Sequence, residues 1–123
     1  MNPILKDQLD LMHRQAIEEY PYECCGIIIG KPDTNEQDIL YKCRNIQNKL
    51  HEKDPKTFER DARTAFYIDP KELMGILKQA QGEEMVVKVF YHSHSLRRAP
   101  WCWQYPASKT RAASPLLNEP GAP

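Results

Sequence analysis

The sequence predicts an α/β (α+β) protein, a mixed β-sheet flanked by helices. Short β-branched runs bounded by glycine or proline alternate with segments whose apolar residues recur at helical spacing. The length of 123 residues is that of one domain, and an apolar fraction of 41% is compatible with a packed core. No internal repeat interrupts the alternation.

Asn2 followed by Pro3 reads as a helix N-cap with proline at the first helical position, and Leu5, Leu9, Met12 and Ala16 then recur at helical spacing through Glu19. Pro21 stops this helix. The run Cys25-Gly26-Ile27-Ile28-Ile29-Gly30 suits a buried strand, Lys31-Pro32-Asp33-Thr34-Asn35 a turn, and Ile39-Leu40-Tyr41-Lys42-Cys43 a second strand closing a hairpin. Residues 45–64 are mostly polar and read as a long loop with a short helical turn over 57–63. Asn45, at the end of the second strand, reads as a turn former. Phe66-Tyr67-Ile68 is expected to be a short strand. Asp69 follows as N-cap, with Pro70 at the first helical position and Glu72 where a capping box places its acid; Leu73, Ile76, Leu77 and Ala80 form the buried stripe before Gly82. The last expected strand is 85–91.

Beyond residue 94 the composition changes. The tail 95–123 holds both tryptophans, five of the ten prolines, one acid, and no Val, Ile or Phe. Its prolines exclude a long helix or a central strand, so it reads as irregular or disordered, separate from a core over 1–94. The zero formal charge hides an asymmetry: 1–94 carry 13 Lys+Arg against 16 Asp+Glu, and 95–123 carry 4 against 1. Neither half has the charge of a nucleic-acid binder. With no run of 18 apolar residues and no signal-peptide core at the N-terminus, no membrane contact is expected and the protein reads as cytoplasmic. Cys24, Cys25, Cys43 and Cys102 form no Cys-x-x-Cys pair and no disulfide framework is expected; Cys25 and Cys43 read as small apolar residues, while Cys24 adjoins Glu23.

His92-Ser93-His94 closes the apolar run 85–91. Residues two apart on a strand share a face, so two imidazoles can converge on one metal ion while Ser93 faces away. A catalytic zinc site carries three protein ligands and a water, so a third ligand has to come from the tail. Glu23 stands at the entrance of the first strand, in position for a general base. His13, on the polar side of a helix, and His51, in a polar loop, read as solvated.

Pro21-Tyr22-Glu23-Cys24-Cys25-Gly26-Ile27-Ile28-Ile29-Gly30, Arg44-Asn45, Phe66-Tyr67-Ile68-Asp69-Pro70 and Tyr91-His92-Ser93-His94 resemble, in that order, blocks of the JAMM (MPN-plus) zinc metallopeptidases. The resemblance implies a cytidine-deaminase-like JAMM/MPN core with zinc (Zn2+) held by two histidines and an aspartate. His92 and His94 match the paired histidines, and Glu23 matches the carboxylate that handles the proton of the zinc-bound water. The family motif then runs seven residues to a serine and three more to the aspartate. Those positions are Cys102 and Tyr105, so the oxyanion donor and the third ligand are both replaced, and the core is expected to be incomplete at its C-terminus. Cys102 is a substitute ligand by chemistry alone, and Glu119 is the tail's only acid. The composition switch predicts a frameshifted or aberrant C-terminus, and recovery of a Ser-x-x-Asp block in a neighbouring reading frame is the test.

The expected function is a zinc-dependent peptidase or isopeptidase of prokaryotic type. Its implied substrates are the C-terminal tail of a ubiquitin-like or sulfur-carrier protein, or a small peptide adduct, and catalysis is impaired in this chain. The alternative is an inactive MPN-type interaction scaffold without metal. A zinc nucleoside deaminase is excluded, because its His-x-Glu and Pro-Cys-x-x-Cys blocks do not occur.

Overall fold

Cys25–Gly30 is apolar without alternation because both of its faces are covered: all six residues of this strand, β1, are buried. The computed structural model describes residues 5–94 and the backbone of 101–104. Helix α1 (Lys6–Glu19) precedes β1; β2 (Ile39–Cys43), α2 (Gln47–Lys53), α3 (Pro70–Gly82), β3 (Val86–Ser93) and β4 (Trp101–Gln104) follow. The sheet runs β2-β1-β3-β4, with β1 interior. The α+β class holds. Every described pairing is antiparallel, however, so the parallel component of the expected mixed sheet does not occur among the described strands. The hairpin return reverses β2, and the excursion through α2 and α3 brings β3 back against the other side of β1 in the opposite sense.

The two faces of the sheet have separate cores. Cys24, Ile28, Val89 and Tyr91 pack against Met12 of α1, flanked by Leu9 and Ala16. Cys25, Ile27, Ile29 and Cys43 pack against Ile76 and Ala80 of α3, flanked by Leu73, Phe66 and Phe90. The apolar stripe on α1 is supplemented by polar residues: Gln8 and Gln15 are buried, whereas Leu5, ahead of the helix, is 37% exposed. Gln15 donates from Nε2 to Cys25 O at 3.0 Å and accepts from the Tyr91 hydroxyl at 2.6 Å, tying α1 to both central strands. Gly26 is required opposite Tyr91, since a Cβ there would overlap the phenol ring.

The β1–β3 register slips between Ile28 and Ile29, where Ile28 faces Val89 and Ile29 faces Val87. Lys88 is the extra residue. Its ammonium donates to Asp38 at 2.7 Å and to Thr34 O at 2.7 Å, so the bulge pins the turn before β2. Gln8 donates to the second Asp38 oxygen at 2.9 Å, which extends the tie to α1.

Several expectations are corrected. Helix α1 begins at Lys6 with Leu5 as N-cap, later than Asn2-Pro3 predicts; Gln8 Oε1 accepts from Leu5 N at 2.9 Å and closes the first turn. Residues 66–68 form no strand, only an isolated bridge from Ile68 to Asn45. Within the expected loop 45–64, a helix forms at Gln47–Lys53 and none forms at 57–63. That helix carries no apolar stripe because its one buried residue is Gln47, whose Nε2 donates to Arg60 O at 2.8 Å. Asp69 caps α3 by accepting from Lys71 N at 2.9 Å, but Glu72 reaches Arg44 N at 3.1 Å instead of closing a capping box. The tail is not irregular throughout, since 101–104 add β4 to β3. A four-residue strand fits between Pro100 and Pro106 because it lies at the sheet edge, where proline is tolerated.

Candidate metal and active site

His92 lies near the end of β3 and His94 one residue beyond it, half-buried on the sheet face that carries Cys25 and Phe90. Their Nε2 atoms are 3.1 Å apart and their ring planes are inclined at 61°. A tetrahedral zinc with Zn–N bonds of about 2.0–2.1 Å holds its nitrogens roughly 3.3 Å apart, so the pair presents the bite of one ion. The same separation also suits an Nε2–H hydrogen bond between the rings. Phe66 stacks on His92 with centroids 4.3 Å apart at 24°, fixing the imidazole plane. Sequence reasoning assigned Phe66 to a strand; its proximity to the site follows from the folding back of 65–68 beside Asn45.

Glu23 is buried at 5% exposure, two residues before β1. One backbone bond continues past the strand end, from Ser93 N to Cys24 O at 3.0 Å, and Cys24 N donates instead to the Ser93 side-chain Oγ at 2.9 Å. Cys25 pairs with His92, so the same register sets Glu23 opposite His94. Directly opposed residues of an antiparallel pair share a face. His92 and His94 thus lie at one end of the sheet, and the register extended two residues beyond β1 places position 23 across from position 94. Ser93 and Cys24 belong to the α1 side, where burial pushes the Cys24 thiol up to about 11 and keeps it a neutral, inert group. Burial likewise pushes Cys43 up to about 12. Cys24, Cys25 and Cys43 are buried free thiols.

Asn45, a turn former by its local sequence, is a polar anchor in the fold. Its Nδ2 donates to Glu23 O at 2.8 Å and to Ala65 O at 3.1 Å, and its Oδ1 accepts from Gln47 N at 3.0 Å and Tyr67 N at 3.1 Å. One amide thus joins the Glu23 segment, the α2 start and the segment that carries Phe66. Asn45→Ala is expected to lower stability by about 2–3 kcal/mol, because four backbone groups lose their partner at once. Urea unfolding measures it, and a midpoint unchanged from the parent would show that the surrounding backbone does not depend on this amide.

The donor set fits zinc in part. His92 and His94 supply two positions, but among the described residues no three His, Cys, Asp or Glu form a group able to hold a metal. Position 102 pairs with His92 across β3 and β4. Position 102, the substitute ligand by chemistry, thus stands beside the site in register. Tyr105, where the aspartate is expected, lies outside the described residues, as does Glu119. What the described residues can do is bring two imidazoles together at the sheet end and bury a carboxylate at the entrance of β1.

His51 is not simply solvated: its Nδ1 is 2.8 Å from Phe58 O, which fixes the proton on Nδ1 and clasps the loop after α2. No helix among the described residues is long and apolar enough to cross a membrane. No curated protein and no solved structure matches the chain. A family model described as prokaryotic homologs of the JAB domain matches residues 5–100, a span that contains Glu23, Asn45, His92 and His94 and ends where β4 is about to begin. The antiparallel sheet with its helices accords with that match, and the chain belongs to the family of prokaryotic JAB-domain homologs.

Proposed function

We propose that the chain carries a JAMM-type zinc hydrolase site for peptide or isopeptide bonds, reduced to two of its three protein ligands and therefore weak in metal binding and turnover. The observation that carries this reading is the 3.1 Å approach of His92 Nε2 to His94 Nε2 at the sheet end, with Glu23 buried at the entrance of the neighbouring strand. Zinc, when bound, polarises a scissile carbonyl and acidifies a water. The residues of this chain bind the ion through two imidazoles, orient one of them by the Phe66 stack, and supply at Glu23 a carboxylate for carrying a proton to the departing amine. Substrates of this chemistry are the C-terminal tail of a ubiquitin-like or sulfur-carrier protein, or a small peptide adduct.

The replacement of serine and aspartate by Cys102 and Tyr105 favours a second reading, an MPN-type scaffold that binds partners without metal. Zinc titration separates the two. The parent is expected to bind one zinc per chain weakly, and His92→Ala or His94→Ala to abolish that binding. No zinc binding by the parent would favour the scaffold, and binding unaltered in both variants would place the metal elsewhere.

A further inference from the structure

The end of β2 and the start of α2 border a cleft of about 410 Å³ that the hydrolase reading does not use. Its volume lies within the range of ligand-binding clefts. Lys42, Arg44 and Lys49 line it, and Glu19 is the acid among its lining residues. These three cations occur in a segment, 1–94, where acids outnumber bases by 16 to 13, so the cleft is a local reversal of the surrounding charge. Lys42 and Lys49 form no ion pair among the described residues, and Arg44 meets Asp69 only at 3.5 Å with its own side chain well exposed. Glu19 interacts electrostatically with Lys42 and accepts from Gln15 Nε2 at 3.2 Å, so one acid stands against three cations at the cleft.

The cleft adjoins the candidate site through one residue. Asn45 lines it and also donates to the backbone O of Glu23 at 2.8 Å, so the cleft borders the chain segment that carries Glu23 from the β2 edge of the sheet. A peptide substrate has to be held on at least one side of its scissile bond, and a row of solvated cations on a concave surface selects for carboxylates there. We propose that this cleft is a recognition subsite for acidic residues of a polypeptide substrate, with Lys42 and Lys49 as its principal cations and Arg44 as a third. It rests on the hydrolase reading for its role in catalysis, whereas the binding itself does not require metal.

Fluorescence anisotropy with a labelled hexaglutamate peptide tests it on the full chain at low ionic strength, without added zinc. The parent is expected to bind hexaglutamate in preference to a neutral hexapeptide, and Lys42→Glu/Lys49→Glu to weaken binding at least tenfold. Lys56→Glu/Lys78→Glu, an equal change of net charge on exposed lysines that do not line the cleft, is expected to stay within twofold of the parent. Equal losses in the two double variants would reduce the effect to the overall field of the protein and overturn the subsite. Unaltered affinity in Lys42→Glu/Lys49→Glu would also overturn it, and so would a hexanucleotide that binds more tightly than the peptide. His92→Ala keeps the cleft and removes a proposed zinc ligand. Peptide binding retained there, in a chain with no zinc site, separates failure of the hydrolase reading from failure of this one.

Discussion

Cys102→Ser combined with Tyr105→Asp is expected to raise zinc affinity by on the order of 100-fold, because structural sites bind with about 10–16 kcal/mol over four ligands and one ligand is therefore worth roughly 3 kcal/mol. The premise is geometric. Two imidazoles already present Nε2 atoms 3.1 Å apart, so their ordering cost is spent in folding, and a third anchored donor adds its full effect. Register supplies the second premise: residue 102 pairs with His92, so the strand that carries the replaced motif returns beside the site. The serine is expected to contribute to turnover and little to affinity, since its hydroxyl serves the developing oxyanion. Competition with a chromophoric chelator gives the affinities of parent and variant. An affinity gain below about threefold would mean that position 105 does not reach the ion, and the family motif would then not describe this tail.

The convergence of His92 and His94 is legible in the sequence because it depends on periodicity alone, as for any residues two apart on a strand, and Glu23 precedes a run that reads as a buried strand. What holds those residues is less legible, because it depends on contacts between distant segments. Asn45 looks like a turn residue in any local window, yet its four hydrogen bonds reach residues 23, 47, 65 and 67. Helix α2 escapes a search for apolar stripes because the residue it buries is Gln47, satisfied by Arg60 O. The slip at Lys88 is equally hidden, since 85–91 read as an unbroken strand; only the partner strand reveals that one residue is extra and that its ammonium ends on Asp38. Proline spacing in the tail excluded a central strand and was silent on a short edge strand, which is what β4 is.

Glu23→Gln in the Cys102→Ser/Tyr105→Asp background is expected to lower kcat by about 10²–10⁴, the usual contribution of a positioned general acid–base, while zinc affinity stays within a few-fold. Glutamine matches glutamate in shape and keeps the backbone arrangement, where Glu23 N donates to Ala62 O at 2.7 Å and Glu23 O accepts from Asn45. Only the capacity to take and return a proton is removed. The side chain is 5% exposed, so bulk water has little access to stand in as the base. Two readouts are needed, because a loss of turnover accompanied by a loss of metal would make Glu23 a ligand or a structural support. Turnover on a peptide substrate and chelator competition, run on the same preparations, separate these roles. Retained turnover within a few-fold of the background would show that the proton travels by another group, and the burial of Glu23 would then be structural alone.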